Sequence, residues 1–405
     1  MTATTASRPQ LSYLTDQMND LRQKGTHFSL RVLSGSQEPE STVDGKDVIN
    51  LASNNYLGLT THPKLREAAI AATKKYGVGA GAVRTVSGTM TIHMELEERI
   101  ARFKHTEASV VFQSGFTANA GTVSAILSKD DFIISDELNH ASIIDGARLS
   151  RAKIKVFRHK DVSHAEELLK EVAGEPGHKL IITDGVFSMD GDIGPLPALC
   201  DLAEKYGAIM MIDDAHSSGV LGRNGRGTVD HFNQHGRVDV QVGTLSKAIG
   251  ALGGYVCGSR ELIDFLYHRA RPFLFSTGHP PSVAATSIAA FDVLEQEPDR
   301  IERLWDNTRF FKKELGGLGL NIGGQNTPAS ETPITPIIVG EGRLAMEFSR
   351  ELFSEGVFAP GIAYPTVAEG KARLRTIMTA THTKDQLTKA LEVIQKVGKR
   401  LGIIG

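Results

Sequence analysis

Cysteine is nearly absent from this chain: Cys200 and Cys257 are the only two among 405 residues. Two thiols so far apart give neither a metal-ligand spacing nor a disulfide framework. A disulfide-stapled secreted fold is therefore excluded, no metal site is expected, and two buried thiols in a reducing cytoplasm are expected. An excess of one charge is lacking too. The 45 Lys and Arg nearly balance the 47 Asp and Glu, for a formal net charge of −2. Nothing here provides the electrostatic footprint that nucleic acid or an anionic membrane would require. Apolar runs fall far short of the ~20 residues that span a bilayer. The first ten residues carry no apolar export segment.

What is present describes a globular protein of two or three domains, 40% hydrophobic and 23% charged. Glycine is the outlier: 41 of 405 residues is about a tenth, above the usual ~7%. These glycines gather at 77–81, 219–227 and 250–258 rather than in a linker, so they mark tight turns and close backbone approaches.

From 105 to 258 short apolar strands alternate with amphipathic helices. Strands are predicted at Ser109–Phe112, Phe132–Ser135, Lys155–Phe157, Leu180–Asp184, Ile209–Asp213, Val238–Val242 and Tyr255–Cys257, and helices at 117–127, 141–149, 164–173, 196–206 and 261–270. Such alternation implies an α/β fold with a mostly parallel central sheet and helices on both faces. Beyond 291 the pattern changes to longer helices (303–315, 343–355, 384–400) around strands Ile334–Val339 and Arg373–Met378, which reads as a smaller C-terminal α+β domain. The expected division is an arm and connecting segment at 1–60, a large domain at 61–290 and a small one at 291–405.

Ligands in such sheets bind beyond the carboxyl ends of the strands. Three polar clusters fall there: Gly185–Asp190, Asp213–Ser218 and Thr244–Lys247. A lysine that attacks an aldehyde must lose its proton, which a partly dry pocket favours. A carboxylate at a strand end can keep a pyridine nitrogen protonated, so that the ring accepts electrons. Lys247 and Asp213 together outline a pyridoxal 5'-phosphate site.

The motifs Asn54–Leu59, Gly79–Thr89, Ser114-Gly115-Phe116, Asp136–Ser142, Asp184–Gly191, Asp213–His216 and Thr244–Lys247 resemble, in order, those of the α-oxoamine synthases. These are fold-type I pyridoxal phosphate enzymes that condense an amino acid with an acyl-CoA. The resemblance runs from about residue 45 to the C-terminus. It implies that Lys247 holds the cofactor and moves the α-proton, that Asp213 pairs with the pyridine nitrogen, that the His140 ring stacks on the cofactor, and that His216 and Ser188 reach its ring oxygen. The phosphate falls to the N–H groups of Gly115 and Phe116 and the hydroxyls of Thr244 and Ser246. Ser276 and Thr277 resemble a pair that reaches the phosphate of a neighbouring subunit, which implies a homodimer with shared sites.

The substrate carboxylate calls for a planar guanidinium. Strand alternation puts Arg373 and Arg375 on one face; the resemblance selects Arg375, and adds Asn54 and Thr366 as substrate contacts. Within the family the likeness points to the glycine C-acetyltransferases, which join glycine to acetyl-CoA in threonine catabolism. The alternative is the 8-amino-7-oxononanoate synthases of biotin synthesis, which use alanine and pimeloyl-CoA, or both activities in one chain. A fold-type I aminotransferase is a more distant alternative. Ser217 departs from the family pattern, where Gly or Ala is commoner, and it lies beside the expected ring-oxygen contact.

Overall fold

The computed structural model describes residues 9–23, 27–325 and 327–404. The export-segment reading at residues 1–10 therefore lies mostly outside the described residues. The chain opens its sheets with a hairpin, β1 (Glu40–Val43) and β2 (Lys46–Asn50), turned at Asp44-Gly45, both at positive φ. Seven strands follow: β3 (Ala108–Phe112), β4 (Phe132–Asp136), β5 (Lys153–Phe157), β6 (Lys179–Asp184), β7 (Ile209–Asp213), β8 (Val240–Thr244) and β9 (Gly254–Gly258). They form one sheet in the order β3-β9-β8-β7-β6-β4-β5. The run from β8 to β5 is parallel, and β9 is antiparallel to both its neighbours. The expectation of a mostly parallel sheet holds. The reversed β9 was not foreseen, because periodicity carries no information on strand direction.

Both faces of the sheet are buried along its inner strands, which explains their apolar runs, whereas the edge strand β5 leaves Ile154 and Val156 exposed. Leu180, Ile182 and Met211 pack to one side with Val240 and Val256, while Ile181, Met210 and Ile212 pack to the other with Leu199 and Leu202. Alternate residues of each strand thus feed two separate cores. Cys200 and Cys257 are both free and buried, as expected.

The C-terminal part holds β10 (Ile334–Gly340), β11 (Val357–Phe358), β12 (Gly361–Ile362) and β13 (Ala372–Ile377). β13 lies antiparallel between β10 and β12, and helices Gly342–Ser354 and Lys384–Arg400 carry strongly one-sided apolar faces (Phe348, Leu352; Leu387, Ile394) into the core. β11 pairs in parallel with β2, so the segment before residue 60 is built into the same layer as the C-terminal strands. Helices Pro63–Tyr76, Thr91–Lys104 and Pro281–Gln296, absent from the sequence reading, fill the space between the two parts.

Candidate active site

Five turns leave the sheet at one edge: those after β3, β4, β6, β7 and β8. Parallel strands end side by side, and Asp184 and Asp213 stand directly opposite in register. The turns enclose a cavity of about 200 Å³. Gly115, Phe116, His140, Ser188, Asp213, His216, Thr244, Ser246 and Lys247, all expected from sequence, line it. A larger open hollow of about 1020 Å³ lies between helix Tyr13–Gln23 and the small sheet, edged by Arg343, Arg350 and Tyr364. It touches none of the residues expected to carry chemistry.

Asp213 is buried, and both its oxygens are held: Oδ1 by the N–H of Ala215 at 2.8 Å and Oδ2 by the side-chain amide of Asn119 at 2.6 Å. A carboxylate fixed in this way has its remaining lone pairs aimed at a ligand. Lys247 faces it across the cavity. Burial pushes the Lys247 amine down to about 8; Asp213 opposes that shift, and the charge of Arg375 adds to it. An amine poised there is a competent nucleophile and proton carrier near neutral pH. Asp184 also borders the cavity, where burial and then the charge of Asp213 raise its pKa well above the carboxylate range. One of its oxygens accepts the backbone N–H of His140 at 2.9 Å.

His140 caps helix Ala141–Ser150, and its ring is open to the cavity. Burial, aided by Lys247 and Arg375 and opposed by Asp213, lowers its pKa and keeps it neutral. His216 is buried and its pKa lies well below the usual imidazole value, chiefly through burial and then through Lys247 and Arg375. Tyr56 Oη meets its Nδ1 at 2.8 Å. Sequence reasoning missed Asn119, Ser142, Asp184 and Tyr56. Tyr56 sits inside the Asn54–Leu59 motif, which is where a signal lay.

At the far end the helix Gly115–Ile126 begins with a capping box: Ser114 Oγ accepts from Thr117 N–H, and Thr117 Oγ1 accepts from Ser114 N–H. Its first main-chain bond runs from Ala118 to Ser114, so Gly115 and Phe116 have no intrahelical acceptor. The hydroxyls of Thr244 and Ser246 lie 2.8 Å apart at the same end. The Thr244 hydroxyl donates to Gly253 O at 2.8 Å, so the two N–H groups on the helix dipole, with Ser246 beside them, make the anion site.

The two arginines of β13 separate clearly. Arg373 is 2% exposed and is spent on structure: it binds the Asp190 carboxylate, the carbonyl of Met189 at 3.0 Å and that of Lys371 at 3.0 Å. Arg375 donates to Asn54 Oδ1 at 3.1 Å and interacts with the Tyr56 hydroxyl, while its Nε is buried with no partner. A guanidinium with a vacant buried donor suits a carboxylate ligand. Thr366 does not join this group; it is exposed on the loop after Tyr364-Pro365, bonded through its N–H to Ala363 O. Ser276 and Thr277 do not line the cavity of their own chain, and Thr277 O accepts from Gln113.

These residues fit pyridoxal phosphate. In a bound cofactor the anion site would take the phosphate, Asp213 the pyridine nitrogen, His216 and Ser188 the ring oxygen, His140 the ring face and Lys247 the aldehyde carbon. The unpartnered Arg375 Nε remains for a substrate carboxylate.

Comparison with known proteins agrees with this geometry. The family model of class I and II aminotransferases matches residues 46–394. The 8-amino-7-oxononanoate synthase of Symbiobacterium thermophilum is 58% identical over 97% of this chain and 99% of its own length. Among solved structures, serine palmitoyltransferase with pyridoxal phosphate superposes with a TM-score of 0.91 at 32% identity, covering 98% of this chain and 100% of that one. The 8-amino-7-oxononanoate synthase of Francisella tularensis gives 0.73 at 30% identity, covering 87% and 98%. The expected likeness to glycine C-acetyltransferases and threonine catabolism is corrected here, since the relatives at 52–58% identity are 8-amino-7-oxononanoate synthases. The motifs used for that reading are shared by the two groups, so they could not separate them. Cofactor site, fold and relatives agree: the chain belongs to the class I and II aminotransferase family, as an α-oxoamine synthase among the fold-type I pyridoxal phosphate enzymes.

Proposed function

We propose that this chain is a decarboxylating C-acyltransferase that joins alanine to pimeloyl-CoA, releasing CoA, CO2 and 8-amino-7-oxononanoate. The observation that carries the chemistry is the desolvated Lys247 amine facing Asp213, with the vacant donor of Arg375 at the same cavity. The choice of alanine and pimeloyl-CoA comes from the relatives of 52–58% identity.

Arg375 and Asn54 hold the amino-acid carboxylate, which fixes the substrate about its Cα. Bound pyridoxal phosphate supplies an electron sink for the negative charge left at Cα. Lys247, displaced by the incoming amine, takes the α-proton; a base so positioned contributes roughly 10²–10⁴ in rate. The Cα–acyl bond then forms as the C–S bond of the thioester breaks, and CoA leaves. Loss of CO2 from the resulting β-keto acid leaves charge at Cα again, and Lys247 returns a proton there. The neutral His140 ring would cover one face of the bound cofactor, and the Asp213 carboxylate would meet its pyridine nitrogen.

The protein is further proposed to act as a cytoplasmic homodimer. Phe275, Leu252 and Val86 are 70%, 52% and 79% exposed, and Phe275 adjoins Ser276 and Thr277. A second copy would cover such side chains and bring that pair towards a neighbouring phosphate. The test is a substrate panel: purified holoenzyme with alanine, glycine or serine against pimeloyl- and acetyl-CoA, following thiol and CO2 release. Alanine with pimeloyl-CoA is expected to give the highest kcat/KM with equal thiol and CO2. Turnover confined to glycine and acetyl-CoA would overturn the substrate assignment, and no thiol release with any pair would overturn the activity.

A further inference from the structure

A chain of hydrogen bonds runs behind the cavity from Asp213 to His140. The Asn119 side-chain amide donates one hydrogen to Asp213 Oδ2 at 2.6 Å and the other to Ser142 Oγ at 3.0 Å. All three side chains are buried. The Ser142 hydroxyl, which accepts from Asn119, lies 2.7 Å from His140 Nδ1 and can donate its own hydrogen there. The Ser142 main-chain N–H points to the same nitrogen at 3.2 Å. The polarity of the chain is fixed at its first member, since an ionised carboxylate only accepts and an amide nitrogen only donates. Asn119 Oδ1 is left buried without a partner, so the reversed amide would place an oxygen against Asp213 and is excluded by like-charge contact.

We propose that Asn119 and Ser142 are positioning residues for His140, which force its ring proton onto Nε2 and so present an N–H donor to the substrate side of the cavity. A neutral imidazole has one donor and one acceptor nitrogen, and the partner of one sets the role of the other. With two donors on Nδ1, that atom is the acceptor. The same bonds favour the neutral ring, because a protonated Nδ1 would meet the Ser142 N–H head on. The charged and titratable groups facing His140 are Asp213 on β7, Asp184 on β6, Lys247 after β8, His216 after β7 and Arg375 on β13. Asp213 favours the imidazolium, whereas Lys247 and Arg375 oppose it. The hydroxyl therefore adds to a preference the charges leave partly balanced.

This inference rests on the cavity being the reaction site, but its first test needs no turnover. Holoenzyme labelled with 15N at histidine is examined by NMR, with the His140 signals identified by their loss in His140→Asn. The expected pattern is a bare, pyridine-like Nδ1 and a proton-bearing Nε2; the opposite pattern overturns the proposal. In Ser142→Ala one donor is lost, so a fraction of Nδ1–H should appear, and the acidic limb of the kcat profile should move to higher pH by roughly half to one unit. Ser142→Thr, which keeps the hydroxyl, should restore both readouts. A merely structural serine would lower the melting temperature while leaving the 15N pattern and the limb in place, which refutes the proposal. Should Ser142→Ala fail to fold, Asn119→Ala serves as the second variant. There the hydroxyl loses its fixed direction, and the same shifts are expected; an unchanged pattern overturns the relay.

Discussion

Replacing each arginine of β13 by methionine separates a structural cation from a substrate-binding one. In Arg373→Met the buried Asp190 carboxylate loses its partner, and the carbonyls of Met189 and Lys371 lose theirs. Breaking one side of a buried pair typically costs about 3–5 kcal/mol. With an unfolding entropy of about 2.1 cal/mol/K per residue, ~0.85 kcal/mol/K for this length, the melting temperature should fall by roughly 4–6 °C. The cost reaches the site because Asp190 lies two residues from Ser188, and Gly191 is stitched to the small part as well, its carbonyl accepting from Thr332 Oγ1 at 2.9 Å and from Glu331 N–H at 2.9 Å. Arg375→Met removes a 3.1 Å bond to Asn54, an interaction with the Tyr56 hydroxyl and a donor that has no partner to lose. Its melting temperature should stay within about 2 °C of wild type. Charge-assisted bonds to a carboxylate are worth about 1.5–3 kcal/mol each, so the amino-acid KM should rise roughly 100-fold or more. Calorimetry and initial-rate kinetics on the two holoenzymes read both quantities. The reasoning is refuted if Arg373→Met melts like wild type, or if Arg375→Met leaves the amino-acid KM unchanged.

Three further outcomes are expected. Burial alone would lower the pKa of His159, but hydrogen bonds to Asp136 and Asp192 at 3.0 and 2.9 Å outweigh it and lift the pKa to about 9. A raised folded value gives stability that is complete below the unfolded value near 6.5 and disappears as pH climbs through about 9. The melting-temperature gap between wild type and His159→Gln should therefore be widest at about pH 6, shrink as pH rises beyond about 6.5 and close by pH 10; a constant gap would refute the ion bridge. With Lys247 near 8, the rate at which apoenzyme recombines with pyridoxal phosphate should climb with pH and level off above about 8, and a plateau reached only near 10.5 would contradict the desolvated amine. Burial raises the thiols of Cys200 and Cys257 to about 11 and about 12, so neither should react with a thiol reagent until the protein unfolds, and stoichiometric labelling of the native chain would refute their packing.

The site was legible wherever chemistry interrupts a strand pattern. Asp213 and Thr244 end apolar strands, His216 and Lys247 stand in the polar turns that follow, and the parallel order of β8, β7 and β6 brings those ends together. Asn119 was not legible, because a polar residue inside an amphipathic helix looks like a solvated position; only the fold shows it buried against Asp213. Arg373 and Arg375 could not be separated from β13 alone, since the distinction is made by Asp190, 183 residues away. Thr366 shows the converse: a residue placed by resemblance sits on an exposed loop outside the cavity. The mostly parallel sheet followed from alternation, while the order of its strands and the direction of β9 depended on pairing that no local pattern encodes. The acyl preference was misread because the motifs quoted are common to both groups of synthases.

All of these expectations depend on one side chain holding the cofactor. Borohydride reduction of the holoenzyme, followed by peptide mapping, tests this most directly. The account expects one pyridoxyl group per chain, on Lys247, and none on Lys247→Ala. A label on a different lysine, or no label on wild-type protein that retains the cofactor, would contradict it.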